Sequence, residues 1–558
     1  MNAARLTASV AAPAATRQAA GAPRPARAAS RPPLAPARPV APRPRAGVCQ
    51  YRKEWSTELE TWHTYKDPFE IIDHDKIYQA LEATKEAAKD KNRIREILAA
   101  AKERSLIKDV PITGGDEYVK GLSVEEMATL LNTDVYDEEL MEEIYDTAFA
   151  IKERIYGNRI VLFAPLYLAN YCTNNCSYCA FRVANKDIER SKLSDDDVRR
   201  EVAALEAQGH KRLLVLTGEH PSYTFDDFLH ALDVIFDVHS EPCSEIRRVN
   251  VEIPTLSVSD MRRLKATDRV GTFTLFQESY HYPSFKKFHL SGPKSDYGHR
   301  LLTHDRAMRG GIDDVGIGVL FGLYDHKFEA IAMKMHADHL DDTYGAGPHT
   351  ISVPRMRPAE GSELSVQPPY EVDDKEFKKL VAILRIAVPY TGMILSTRES
   401  PEMRRHLLRV GMSQMSAGSR TDVGAYHRHP GEASDLNLGG SNLEGQFSLL
   451  DTRPVKDIVM DMMEEGYVPS WCTACYRKGR TGEDFMKIAK AGNIHNFCHP
   501  NSLLTLQEYL NAYGTEEEKK VGRALIDKES KVGLSPWAQN KLKDMLERQD
   551  AGEKDLYF

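Results

Sequence analysis

No aspartate or glutamate precedes Glu54. A stretch of Ala, Arg and Pro without acids cannot bury enough apolar surface to fold, so residues 1–50 read as a disordered leader. The stretch also lacks the long apolar core of a secretion signal, which leaves the pattern of an organelle transit peptide. Pro32, Pro33, Pro36, Pro39, Pro42 and Pro44 interrupt any amphipathic helix there, which favours the chloroplast stroma over the mitochondrion. No run of about 20 apolar residues occurs, so no membrane span is expected. Basic residues are not in surplus, with 74 Lys and Arg against 82 Asp and Glu and a net charge of −8. That balance gives no reason to expect a nucleic-acid partner. Cysteine is scarce, eight in 558 residues, and six of the eight fall in two groups that each contain CxxC. Such grouping suits metal ligation in a reducing compartment better than a disulfide framework. Cys49 and Cys243 stand apart and read as ordinary thiols.

What is present centres on Tyr171-Cys-Thr-Asn-Asn-Cys-Ser-Tyr-Cys-Ala-Phe181, where Cys172, Cys176 and Cys179 are spaced CxxxCxxC after the apolar run 160–168. Thiolates suit iron–sulfur clusters. Three of them leave one iron of a four-iron cluster open to a small chelating molecule, as an open position marks a catalytic metal. A structural zinc knot is the alternative and needs a fourth local ligand, which the loop does not supply. The second group, Cys472, Cys475 and, after 22 intervening residues, Cys498, is again one ligand short. Zinc held by three Cys with His495 or His499 is the alternative there.

Residues 51–157 repeat apolar positions at helical spacing, and Ser123-Val-Glu-Glu126 reads as a capping box. From residue 158 to 430 short apolar runs alternate with amphipathic helices. Strands are expected at 160–166, 212–216, 248–253, 271–276, 315–321, 349–353, 391–396 and 414–417. Helices are expected at 195–208, 257–267, 327–340, 373–386 and 401–410. Eight such alternations give an α/β fold, a closed (βα)8 barrel with a helical region before it and a helical extension, residues 431–558, after it. A Gly- and Asn-rich loop over 431–441 leads to a helix at 455–466 that Asp451 is expected to cap. Catalytic groups sit at the C-terminal ends of barrel strands, and the first cysteine loop follows the first strand. Thr217-Gly218-Glu219, Glu252 and Glu278 end the next three strands, Arg306 lies on the following helix, and Gly316-Ile-Gly318 lets a ligand approach the backbone. Ser396 and Arg398 end the seventh strand. An arginine there can clamp a carboxylate in two parallel bonds, or instead pair with Glu399.

The CxxxCxxC loop, with Tyr178 before its last cysteine, resembles the signature of the radical S-adenosylmethionine (SAM) superfamily. Together with the C-terminal CxxC-x22-C and the wording Gly347-Pro-His-Thr-Ile-Ser-Val-Pro354, the chain from about residue 60 to 530 is similar to the tyrosine-cleaving [FeFe]-hydrogenase maturases; the leader would fit an algal form. The resemblance implies a [4Fe-4S] cluster on Cys172, Cys176 and Cys179, and SAM contacts by Tyr178, Thr217, Gly218, Glu219, Glu252, Glu278, Arg306, Gly316 and Gly318. It implies L-tyrosine held by Ser396 and Arg398, and a 5′-deoxyadenosyl radical that abstracts hydrogen from the tyrosine amine. p-Cresol is then released, leaving dehydroglycine. It further implies a second [4Fe-4S] cluster on Cys472, Cys475 and Cys498, where CO and cyanide form. That cluster would carry a fifth iron held by L-cysteine and by His349 or His339. Other hydrogenase maturation proteins and an electron donor such as ferredoxin are the partners implied. The alternatives are a tyrosine lyase that supplies thiamine thiazole synthesis, which lacks the cysteine-bearing tail, and a non-catalytic iron–sulfur carrier.

Overall fold

The computed structural model describes residues 65–105, 119–242, 244–428 and 445–558. The leader, the 431–441 loop, Cys49 and Cys243 lie outside them. Eight parallel strands form the barrel: β1 (Arg159–Ala169), β2 (Arg212–Thr217), β3 (Arg248–Glu252), β4 (Val270–Thr274), β5 (Val315–Gly318), β6 (Thr350–Ser352), β7 (Gly392–Leu395) and β8 (Gln414–Ser416). The sheet closes because β8 returns to β1, pairing Val161 with Gln414 and Phe163 with Ser416. Every residue of β1 is buried, as expected of a parallel strand covered on both faces.

The expected helices appear at Asp195–Glu206, Val258–Ala266, His326–Tyr344, Asp374–Ala387 and Pro401–Val410. Among the helices before the barrel, Val124–Leu131 starts with the reciprocal capping box of Ser123 and Glu126. Their apolar faces join the core that surrounds the barrel. No helix among the described residues is long and apolar enough to cross a membrane.

Two features differ from the sequence expectation. A ninth strand, β9 (Val468–Ser470), adds to β1 at its N-terminal end, pairing Arg159 with Val468 and Val161 with Ser470. Three residues with a central proline carry no periodic signal, and the proline is tolerated because β9 is an edge. It delivers Ser470-Trp471-Cys472 to the floor of the barrel. Asp451 does not cap the helix Val455–Glu464, whose N-cap is Pro454 with no side-chain bond. It is instead fully buried in ion pairs with Arg404 and Arg453, and these cations hold its carboxyl below the usual range despite burial.

Removing one partner of a buried pair strands the other charge, at about 3–5 kcal/mol. Asp451→Ser, which keeps a good capping residue, is therefore expected to destabilise as much as Asp451→Ala in denaturant unfolding. Retention of stability by the serine variant alone would restore the capping role.

Candidate functional site

The C-terminal end of β1 runs into the first cysteine loop, and Asn174 inside that loop ties it down. Its Nδ2 donates to Glu219 Oε2 at 2.7 Å, and its Oδ1 accepts from the Lys294 backbone N–H at 2.8 Å. Thr173 donates through both backbone and hydroxyl to the Glu219 carbonyl. Gly218 is required here, since an added Cβ would run into the Tyr171 carbonyl. Cys172, Cys176 and Cys179 line one cavity with Tyr178, Thr217, Gly218, Glu219, Glu252, Glu278 and Arg398. Burial pushes the Cys176 thiol up to about 12 and raises Cys179 as well. Two amides face sulfur, Asn174 Nδ2 at 3.7 Å from Cys172 Sγ and Gln446 Nε2 at 3.6 Å from Cys179 Sγ. Tyr178 donates its hydroxyl to His289 Nε2 at 2.8 Å, because His289 Nδ1 is committed to the Phe285 carbonyl.

Of the rim residues, Glu278 is bound to Lys294 Nζ at 2.7 Å and lies 3.5 Å from Arg300. Glu252 reaches both this space and the barrel interior below; burial, then Glu278, raises its carboxyl to about 7. Three expectations need correction. Arg306 does not line the cavity; its guanidinium donates to the Leu256 and His299 carbonyls and to Thr303, and Arg300 stands at the rim instead. Gly316 and Gly318 do not line it either. The space beside Gly316 is taken by the Thr350 and Thr274 hydroxyls, and that beside Gly318 by the Phe276 ring. Both glycines make room for protein, not ligand. Sequence reading missed Asn174, Lys294, Arg300 and Gln446, which lie far from the cysteine loop in sequence or carry no motif of their own.

Below the cysteines the cavity continues into the barrel, lined by Phe163, Tyr167, Leu214, Leu216, Ser396 and Arg398 among others. About 800 to 1000 Å³ in each lobe is free of protein atoms, open solvent at the mouth included. Glu399 is not the partner of Arg398; it is held by Arg355 through two nitrogens. The Arg398 guanidinium stacks on Phe447, 3.3 Å from the ring centre, and no carboxylate binds it among the described residues. Ser396 Oγ accepts the Arg398 backbone N–H at 3.0 Å. A half-buried cation without a carboxylate partner, beside a hydroxyl, is a ready carboxylate receptor.

The opposite end of the barrel carries the second cysteine group. The Cys475 and Cys498 thiols face each other closely enough for one to donate to the other, which lowers Cys498 and raises Cys475. Arg159, Arg212 and Arg480 favour thiolate in the group, and Arg212 Nη1 donates to the Cys472 carbonyl at 2.9 Å. His499 Nε2 donates to the Glu529 carbonyl, so that nitrogen is not turned to the cysteines. Of the two barrel histidines, His339 is spent: its Nε2 pairs with Asp305 at 2.9 Å and Thr343 lies 3.3 Å from its Nδ1. His349 instead packs on Phe485 and near Tyr476, both from the extension. The first trio offers soft sulfur at one edge of a cavity, and the second brings three sulfurs close together; three thiolates fit an iron–sulfur cluster with one iron left to a further ligand.

The profile of the radical SAM superfamily matches residues 166–335, and that of the biotin and thiamin synthesis associated domain matches residues 352–468. The chain is 31% identical to the 2-iminoacetate synthase of Escherichia coli (strain K12) over 334 residues, 59% of this chain and 82% of the relative. A crystal structure of HydG, a maturase of the [FeFe]-hydrogenase, superposes with TM-score 0.79 at 47% identity, covering 88% of this chain and all of the other. The HydG of Carboxydothermus hydrogenoformans gives TM-score 0.71 at 36% identity over 86% of this chain and all of the other.

Gly218→Ala is expected to displace the first cysteine loop and spare the second trio. After anaerobic reconstitution the variant should lose the iron and sulfide of one cluster, and full iron content would show that the loop tolerates the clash.

Proposed function

The chain belongs to the radical SAM superfamily and, within it, to the HydG-type hydrogenase maturases, and on that premise we propose that it cleaves L-tyrosine between Cα and Cβ. The products are p-cresol and dehydroglycine, which is 2-iminoacetate, and the latter is carried on to CO and cyanide on iron for the hydrogenase active site. The observation that carries this reading is Arg398, a half-buried guanidinium in the cavity without a carboxylate partner among the described residues. It shares a cavity with Cys172, Cys176 and Cys179.

Superfamily membership implies a [4Fe-4S] cluster on those cysteines and SAM beside it, which together supply a one-electron reductive cleavage and a carbon radical able to abstract hydrogen. The residues do the rest. Arg398 and Ser396 hold the amino-acid carboxylate, fixing the amine toward the cysteine end. Phe163, Leu214, Leu216 and Phe447 exclude water, which protects a radical from quenching. Glu252, titrating near 7, holds or accepts a proton between the two lobes. Tyr178, Thr217, Gly218, Glu219 and Glu278 remain the candidates for SAM contact. Cys472, Cys475 and Cys498 would hold a second cluster, and His349 rather than His339 the additional iron, with L-cysteine as a further ligand. The acid-free leader supports a place in the chloroplast stroma, where a ferredoxin-type donor and the other maturation proteins would meet it.

Incubation of the reconstituted protein with SAM, dithionite and tyrosine is expected to release p-cresol, CO and cyanide. p-Cresol without CO would instead indicate a lyase that stops at dehydroglycine. Cys472→Ala with Cys475→Ala should keep p-cresol and abolish CO; loss of both products would refute the division between two clusters. Arg398→Lys removes bidentate recognition, with hydrogen bonds to charge worth about 1.5–3 kcal/mol. The p-cresol kcat/KM should fall about 10- to 100-fold, chiefly through the tyrosine KM.

A further inference from the structure

The floor of the barrel holds a carboxylate that the proposed reaction does not use. Asp314 immediately precedes β5 and is almost wholly buried. Its Oδ1 lies 3.3 Å from His349 Nδ1 and 3.4 Å from the Gly482 backbone N–H. Its Oδ2 accepts the hydroxyl of Tyr476, the residue after Cys475. Arg248 closes the arrangement, bonding the same hydroxyl and lying 3.3 Å from the Tyr476 ring centre. Its guanidinium is also held by Thr272 Oγ1 at 2.6 Å and by Asn250 Oδ1 at 2.9 Å. Gly271 keeps the room for it, since an added Cβ would strike the guanidinium. One carboxylate therefore touches a barrel histidine, the loop that carries Cys475, and the start of the helix Gly482–Lys490.

We infer that Asp314 is a positioning residue that fixes His349 with its Nδ1 proton toward the carboxylate and its Nε2 lone pair free for iron, and locks the Cys475 loop in register with it. A histidine can ligate through one nitrogen only if the other holds the proton, and an acceptor at that second nitrogen sets both tautomer and ring orientation. Asp314 Oδ1 lies 3.3 Å from the buried Nδ1, and the Tyr476 hydroxyl, itself bonded by Arg248, together with the Gly482 N–H holds the carboxylate in place. Tyr476 and Gly482 bring the extension to the same two oxygens, so the histidine and the cysteines are set by one group. This inference rests on the reading that His349 holds the additional iron.

The test is a titration of ferrous iron into anaerobically reconstituted full-length protein, against a competing chelator, with sulfide counted in parallel. Asp314→Asn, equal in size but no longer anionic, is expected to keep wild-type sulfide and bind the additional iron about 10- to 100-fold more weakly. His349→Ala should abolish that binding. Unchanged affinity in Asp314→Asn with loss in His349→Ala overturns the positioning role. Unchanged affinity in both overturns the assignment of His349 itself. Should Asp314→Asn also lose sulfide, Tyr476→Phe leaves the carboxylate on His349. Iron affinity within about threefold of wild type in that variant supports the role, and a loss as large as that of His349→Ala overturns it.

Discussion

The pairing of β1 is the constraint on which the rest of the molecule depends. One edge of this strand is divided between β2, along its C-terminal part, and β9, which anchors the extension; the other takes β8, which closes the barrel. Its 11 residues, at about 3.3 Å each, span about 36 Å. The first cysteine trio hangs from its C-terminal end, and the second is delivered beside its N-terminal end. The length of one strand thus sets the distance between the two sites. A slip of one residue would turn every inward side chain outward and would misplace both trios at once.

The interior tolerates many charges because nearly all are anchored. Arg385 donates to the carbonyls of Gly411, Pro389 and Thr391, and Arg404 to Asp451 and the Ser416 carbonyl. A buried guanidinium without such acceptors is expensive. Against these neighbours Arg398 differs in kind: it has an aromatic ring beneath it, open cavity around it, and its neighbouring acid committed elsewhere. Stability alone gives no reason to keep a cation so placed, whereas carboxylate binding does.

The eight barrel strands were legible because each is a short apolar run bounded by turns and followed by an amphipathic helix, and all eight were found within a few residues. β9 was not, since Val468-Pro469-Ser470 is too short to show a period and exists as a strand only by pairing with β1. Cysteine spacing placed both trios because covalent identity survives without knowledge of packing. The rim was read unevenly for the opposite reason. Glu252 and Glu278 follow from strand ends, but choosing Arg300 over Arg306 requires knowing which way a short helix turns. Gly316 and Gly318 show the limit of a glycine argument, since close approach by Thr350 or Phe276 demands the same residue as close approach by a ligand. His349 and His339 were inseparable in sequence; what separates them is that Asp305 occupies one, while the other meets the extension.

The two trios sit in different electrostatic surroundings, and that difference bears on what each can hold. Neutral amides from Asn174 and Gln446 face the first, with Lys294, partly neutralised by Glu278, and Arg190 also within electrostatic reach. Arg159, Arg212 and Arg480 surround the second. Net charge and hydrogen bonding at sulfur set the reduction potential of an iron–sulfur centre, and cations nearby stabilise whichever state carries more negative charge. The arginines at the first residues of β1, β2 and β3 lie at the same end of the barrel as the cysteines of the extension, so the barrel floor favours anionic sulfur.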